Sequence, residues 1–195
     1  MPGQVAPTND ERELLLAYIE QQRDALRITT FGLTDEQARL VPTPSALSVG
    51  GLLKHVTDTE RGWMDNVLQR RRPADDAATD AYLDNFTMKE TETLAELIAD
   101  NEKAARETEE IIRGIADLGQ DVPVPKGVPW YPDDLDAWSV RWVLLHLVEE
   151  IARHAGHADI IRESIDGATG YALMAAAEGW PETPWMKPWS PEDAT

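Results

Sequence analysis

Apolar positions recur at helical spacing in four long segments of this chain. In "RELLLAYIEQQRDALRITTFGL", Leu14, Tyr18 and Leu26 share a face, and Thr8 with Glu11 has the spacing of a capping box just before it. In "VGGLLKHVTDTERGWMDNVLQRRR", Leu52, Leu53 and Val56 mark the apolar sector. Ser48 is its candidate cap, and Arg70-Arg71-Arg72 suits a helix end because cations complement the dipole there. A third box, Thr87 with Glu90, opens a segment in which Leu94, Leu97, Ile98, Ala105, Ile111, Ile112 and Ile115 form a stripe. The fourth, "VRWVLLHLVEEIARHAGHADIIRESI", lies between a Ser139 cap and a Gly167 stop. Thr34 and Gln37 box a short turn of helix, "DEQARL".

Proline and mixed polar stretches separate these segments. "VPTPSA" breaks the chain after the short helix, and "PADDAATDAYLDNF" has no strong period and reads as a loop. "GQDVPVPKGVPWYPDDLDA" reads as an irregular crossover. The tail 179–195 carries Pro181, Pro184, Pro188 and Pro191, so it is expected to be non-helical, with its three tryptophans folded back over the helices. No strand and no internal repeat is evident. The pattern predicts an all-α chain, a four-helix bundle forming one domain over residues 1–195.

Composition narrows the function. The chain has 195 residues, 42% hydrophobic and 28% charged, which suits one domain with a sizeable core. A net charge of -18 repels phosphate backbones and anionic lipid, so neither nucleic acid nor membrane is expected as a partner. No apolar run reaches the length of a bilayer span, and the first residues lack the basic start and apolar stretch of a signal peptide. The cytoplasm is the expected location. Cysteine is absent, so any metal must sit on His, Asp or Glu, and any thiol must come from outside.

The candidate chemistry lies in "EEIARHAGHADIIRE". With His154 at zero on a helical wheel, Glu150 falls about 40°, His157 about 60° and His146 about 80° away, all on one side. Glu150 with His154, or His154 with His157, could grip one ion; Glu150 and His157 are roughly 10.5 Å apart along the axis and cannot share it. His146 is a layer away. A third ligand must come from another segment, and His55 is the only other histidine. Three protein ligands and an open position make a catalytic zinc site. The same residues, without an ion, would be core histidines satisfied by carboxylates. No HExxH, phosphate loop or GxSxG elbow is present. The Glu-x-x-His pair of di-iron bundles also fails, since the first and third helices have no histidine.

"LSVGGLLKHVTDTERGWMDNVL" and "WSVRWVLLHLVEEIARHAGHADIIRESIDG" resemble the DinB-like superfamily, closest to the actinobacterial branch with mycothiol-dependent maleylpyruvate isomerases and thiol S-transferases. The helix order of the whole chain fits the resemblance. It implies an up-down-down-up four-helix bundle with a divalent metal on three residues, one histidine from the second helix and a His-x-x-x-His pair from the last. Members often have Arg-Gly after the final histidine; here Ala155-Gly156 follows His154. Aligned on that glycine, His154 takes the second position of the pair, Glu150 the first, and His55 matches the second-helix ligand. The maleylpyruvate isomerases are similar in placing glutamate there. His157 then falls one turn on, as an outer residue or an alternative ligand.

The resemblance implies a transferase or isomerase that uses a low-molecular-weight thiol, mycothiol by family, on an electrophile. The expected metal is zinc, with iron or nickel as alternatives, holding the thiol as thiolate. Trp63, Trp142 and the tail tryptophans are candidates to orient the second substrate. Two other readings stay open: a non-catalytic, stress-associated metal-binding protein, and an iron site for oxidative sulfur transfer, since two histidines and a carboxylate suit Fe(II). A homodimer is also left open.

Overall fold

A computed structural model describes residues 3–70, 84–126, 128 and 131–193. Its α-helices with described bounds are α1 (Glu11–Ile28), α2 (Asp35–Arg39), α3 (Val49–Val67), α4 (Leu94–Gly114), α5 (Val140–Asp166) and α6 (Gly170–Glu178), and a single 3-10 turn, Pro191–Asp193, interrupts the tail expected to be non-helical. Two short strands, β1 (Asp121–Pro123) and β2 (Ala137–Ser139), pair antiparallel with Val122 opposite Trp138.

Polar pairs between the four long helices give their directions. Arg141 meets Glu11 at the starts of α5 and α1, and Arg162 reaches the carbonyls of Thr29 and Phe31 past the end of α1, so α1 and α5 run parallel. Lys54 meets Glu92, and Arg61 meets Asp100 further along, so α3 and α4 are also parallel. His55 faces Glu150 while Trp63 faces Trp142, so α3 and α5 are antiparallel. The result is an up-down-down-up, all-α bundle, as the resemblance implied.

Local chemistry accounts for the helix ends. The Thr34/Gln37 box and the Ser48 and Ser139 caps form as expected, and Gly167 ends α5 in the left-handed region at φ 75°. Two expected boxes do not form. Asp10, not Thr8, caps α1, because its carboxylate accepts from the Arg12 and Glu13 N–H groups while the Thr8 hydroxyl only accepts from Asp10 N. α4 begins at a Thr93/Glu96 box rather than at Thr87/Glu90. Met88 is buried and crosses above Gly50, holding the chain outside the helix until Leu94, whose N–H donates to Asp35.

The expected helix over the second segment stops early, at Val67. Arg71, Arg72 and residues 73–83 of the expected loop over 73–86 lie outside the described residues, and Asp84 within that loop is helical. The β1–β2 pair corrects the expectation of no strand: the crossover closes on the bundle, burying Val122, Val124 and Trp138. α6 is an extra helix between the Gly167 stop and the tail; its Leu173, Met174 and Ala175 are buried, and it packs on α1. In the tail the half-buried Trp189 folds back under the Arg162 guanidinium at 4.9 Å and edge-on to Phe31, Trp180 is also half-buried, and Trp185 is 78% exposed.

The core runs along the inner faces of α1, α3, α4 and α5, with Leu16, Ile19, Leu26, Leu52, Leu53, Leu144, Leu147 and Ile151 among its members. It also encloses charge. Arg23 and Glu60 are both fully buried and bonded at 2.5 and 3.1 Å. A buried ion survives only when paired in this way. Among the described residues no helix is long and apolar enough to cross a membrane.

Candidate metal centre

α3 and α5 build the site from opposite directions. Gly50 and Gly51 open α3, and a Cβ on Gly51 would come within 2.0 Å of the Phe86 carbonyl oxygen. The missing side chains let the segment through Phe86 lie directly on the helix. Phe86 thereby stacks on the His55 ring, with centroids 3.8 Å apart and planes 18° apart. His55 is fixed in the interior, on the turn after Gly51.

From α5, Glu150 and His154 project one turn apart toward His55. The Nε2 atoms of His55 and His154 lie 3.2 and 3.3 Å from the same Glu150 Oε1. One ligand atom from each of these three residues lies within 4.8 Å of the others. His55 and His154 are buried and Glu150 is half-buried. Thr59 Oγ1 is 3.4 Å from His55 Nε2. Imidazole N–H groups, His154 first and then His55, hold the Glu150 carboxyl well below the usual carboxylate range, against the opposing effect of burial. A carboxylate kept ionised between two imidazole nitrogens is a donor set that suits a zinc or other borderline divalent cation. The residues present therefore fit the metal that the resemblance implies.

His157 lies outside this group. Its ring centroid is 5.6 Å from that of His154, and its buried Nδ1 has no partner among the described residues, as is true of His154 Nδ1. The structure thus brings His55, Glu150 and His154 together and leaves His157 beside them.

A cavity of about 640 Å³ opens against His55 and Glu150. Trp63 and Trp142, the residues expected to orient a second substrate, line this cavity, and so does His146. Trp63 is nevertheless almost wholly buried, while Trp142 is 39% exposed. None of the three tail tryptophans is among its described lining residues. The sequence reading missed Asp58, Asn66, Asn85, Tyr131 and Trp138, all of which line the cavity. Asp58 and Asn66 could have been found, since they follow His55 at helical spacing on α3. Asn85, Tyr131 and Trp138 come from irregular chain, where no period points inward.

A family model described as mycothiol-S-transferase matches residues 14–167 of the chain. No curated protein matches it.

Proposed function

The chain belongs to the mycothiol-S-transferase family, and from that premise we propose that it is a divalent-metal-dependent enzyme that transfers a low-molecular-weight thiol, mycothiol by family, to an electrophile. His55, Glu150 and His154 hold the ion. The observation that carries this reading is the convergence of two imidazole nitrogens and a carboxylate oxygen beside a cavity with room for a thiol conjugate. A four-ligand site sealed from any pocket would have favoured a purely structural metal instead.

Zinc is the proposed ion, and when bound it lowers the pKa of a coordinated thiol so that the thiolate persists at neutral pH. The protein's part is to shape and dry the site. Phe86 covers one face of the His55 ring and excludes water from it. Both imidazoles, His154 first, favour the ionised form of Glu150. The protein has no cysteine to compete for the ion. Trp63 and Trp142 form part of the wall against which the electrophile is held.

The test is metal analysis of protein purified without added zinc, followed by a conjugation screen with mycothiol and a generic electrophile. Zinc at one ion per chain with mycothiol consumed supports the reading. Metal bound tightly with no thiol consumed favours the non-catalytic protein. Recovery of iron favours oxidative sulfur transfer, and recovery of nickel keeps the thiol chemistry with another ion.

A further inference from the structure

Trp138, Trp142 and His146 follow one another at four-residue spacing, and their rings form one continuous stack. Trp138 and Trp142 have centroids 4.7 Å apart and planes within 6°. Trp142 and His146 are 5.3 Å apart and within 14°. Trp63 stands edge-on to all three, at 5.3, 5.6 and 4.9 Å. Glu149 Oε2 lies 3.5 Å from His146 Nδ1 beside the last ring. Glu150 is the next step of the same ladder, about 6 Å further along α5. The stack therefore leads to the candidate metal centre, and the cavity lies along it.

Core packing alone does not account for this wall. A bundle fills space equally well with aliphatic side chains, and a core ring is closed over by its neighbours. Trp63 and Trp138 are closed over in this way, at 5% and 7% exposure. Trp142 is not, and the His146 side chain also stays partly exposed, so their rings meet the cavity. Flat rings reward a flat ligand, because offset and edge-on aromatic contacts add attraction that a saturated ring of the same volume cannot obtain.

We propose that this wall selects the second substrate, and that the electrophile carries a planar aromatic ring whose face meets the edges of the stacked Trp142 and His146 rings, with its reacting carbon toward Glu150. The proposal rests on the thiol-transfer reading and names its substrate class. Trp63 and Trp138 are positioning residues that hold the two contact rings in register.

Calorimetric titration of the full-length, zinc-loaded protein with naphthol and with decahydronaphthol tests it, since the two share a carbon skeleton and differ in planarity. Naphthol should bind about tenfold more tightly, the limit of one good aromatic contact. Trp142→Ala should remove that difference, and Trp142→Phe should restore most of it, which excludes a general loss of folding. Equal binding of the two compounds, binding of neither, or a naphthol affinity indifferent to Trp142→Ala overturns the proposal. Repeating the titration after zinc chelation keeps the two readings apart. Planarity selection without any thiol conjugation would sink the transferase and leave the aromatic site standing. Conjugation that ignores planarity would do the reverse.

Discussion

His55 Nε2 lies 3.2 Å from Glu150 Oε1, although 95 residues of chain separate the two. The antiparallel packing of α3 against α5 creates that contact, and His154 joins it from the next turn of α5. Every functional expectation for this protein passes through that junction.

Single substitutions should divide the four neighbouring candidates unequally. His55→Ala and His154→Ala each remove one of two nitrogen donors, and zinc affinity should fall by more than about 100-fold, beyond what supporting residues cost. Glu150→Ala should weaken binding severely. His157→Ala should leave zinc content near that of the wild type. Zinc titration with a competing chelator reads all four. A site emptied by His157→Ala but kept full in Glu150→Ala would make the histidine-only set the correct one.

Gly51→Ala should damage the centre without touching a ligand. The new methyl group would collide with the Phe86 carbonyl, which is backbone and cannot rotate away. Overpacking of this kind costs roughly 1–3 kcal/mol. Phe86 should lift off His55, so zinc affinity should fall along with the melting temperature. A variant as stable as wild type with unchanged zinc binding would show that the close approach is dispensable.

The buried Arg23–Glu60 pair should be costly to break and cheap to replace whole. Glu60→Ala leaves a guanidinium in the core with only partly buried carboxylates, Glu20 at 2.8 Å and Glu109 at 4.0 Å, as partners. The expected loss is about 3–5 kcal/mol in urea unfolding. The double variant Arg23→Met/Glu60→Leu should lose less than Glu60→Ala alone. Additive losses in that cycle would mean that the two residues do not act as a pair.

Acid should weaken the α3–α4 contact. The Arg61 guanidinium, bonded at 2.6 Å to each oxygen of Asp100, holds that carboxyl below its ordinary value of 3.8. A carboxyl depressed by folding contributes stability above its unfolded pKa and loses it as pH falls through the folded value. The loss should therefore begin below about pH 4 and deepen with further acidification. Asp100 is half exposed, so the effect should shrink in high salt. Unfolding free energies of Asp100→Asn should show a flatter acid limb than wild type; identical limbs would remove Asp100 from the acid response.

Much of the framework was legible in the chain because it is local. Ser48 and Ser139 open their helices and Gly167 closes one through bonds spanning a few residues, so their types and spacing suffice to find them. The same is true of Glu150 and His154, one turn apart on one helix. The failures were also local in form but tertiary in cause. Thr87 and Glu90 have the spacing of a box, yet Met88 is drawn over Gly50 and the helix waits until Thr93. Val122 and Trp138 lie in proline-rich chain with no period, and they pair only because the crossover folds back on the bundle.

Helical periodicity, caps and the lack of cysteine, all readable within a few residues of chain, determined by themselves that this protein is helical and that any metal rests on histidine and carboxylate. Which residues meet was decided by the tertiary structure. The register of α3 against α5 sets His55 opposite Glu150 and leaves His157 aside. The same register brings Trp63 against a ladder of rings from β2 and α5 that opens on a cavity. A sequence records spacing along one helix, but distance between two helices depends on how their side chains interlock, and that is a property of the packed core.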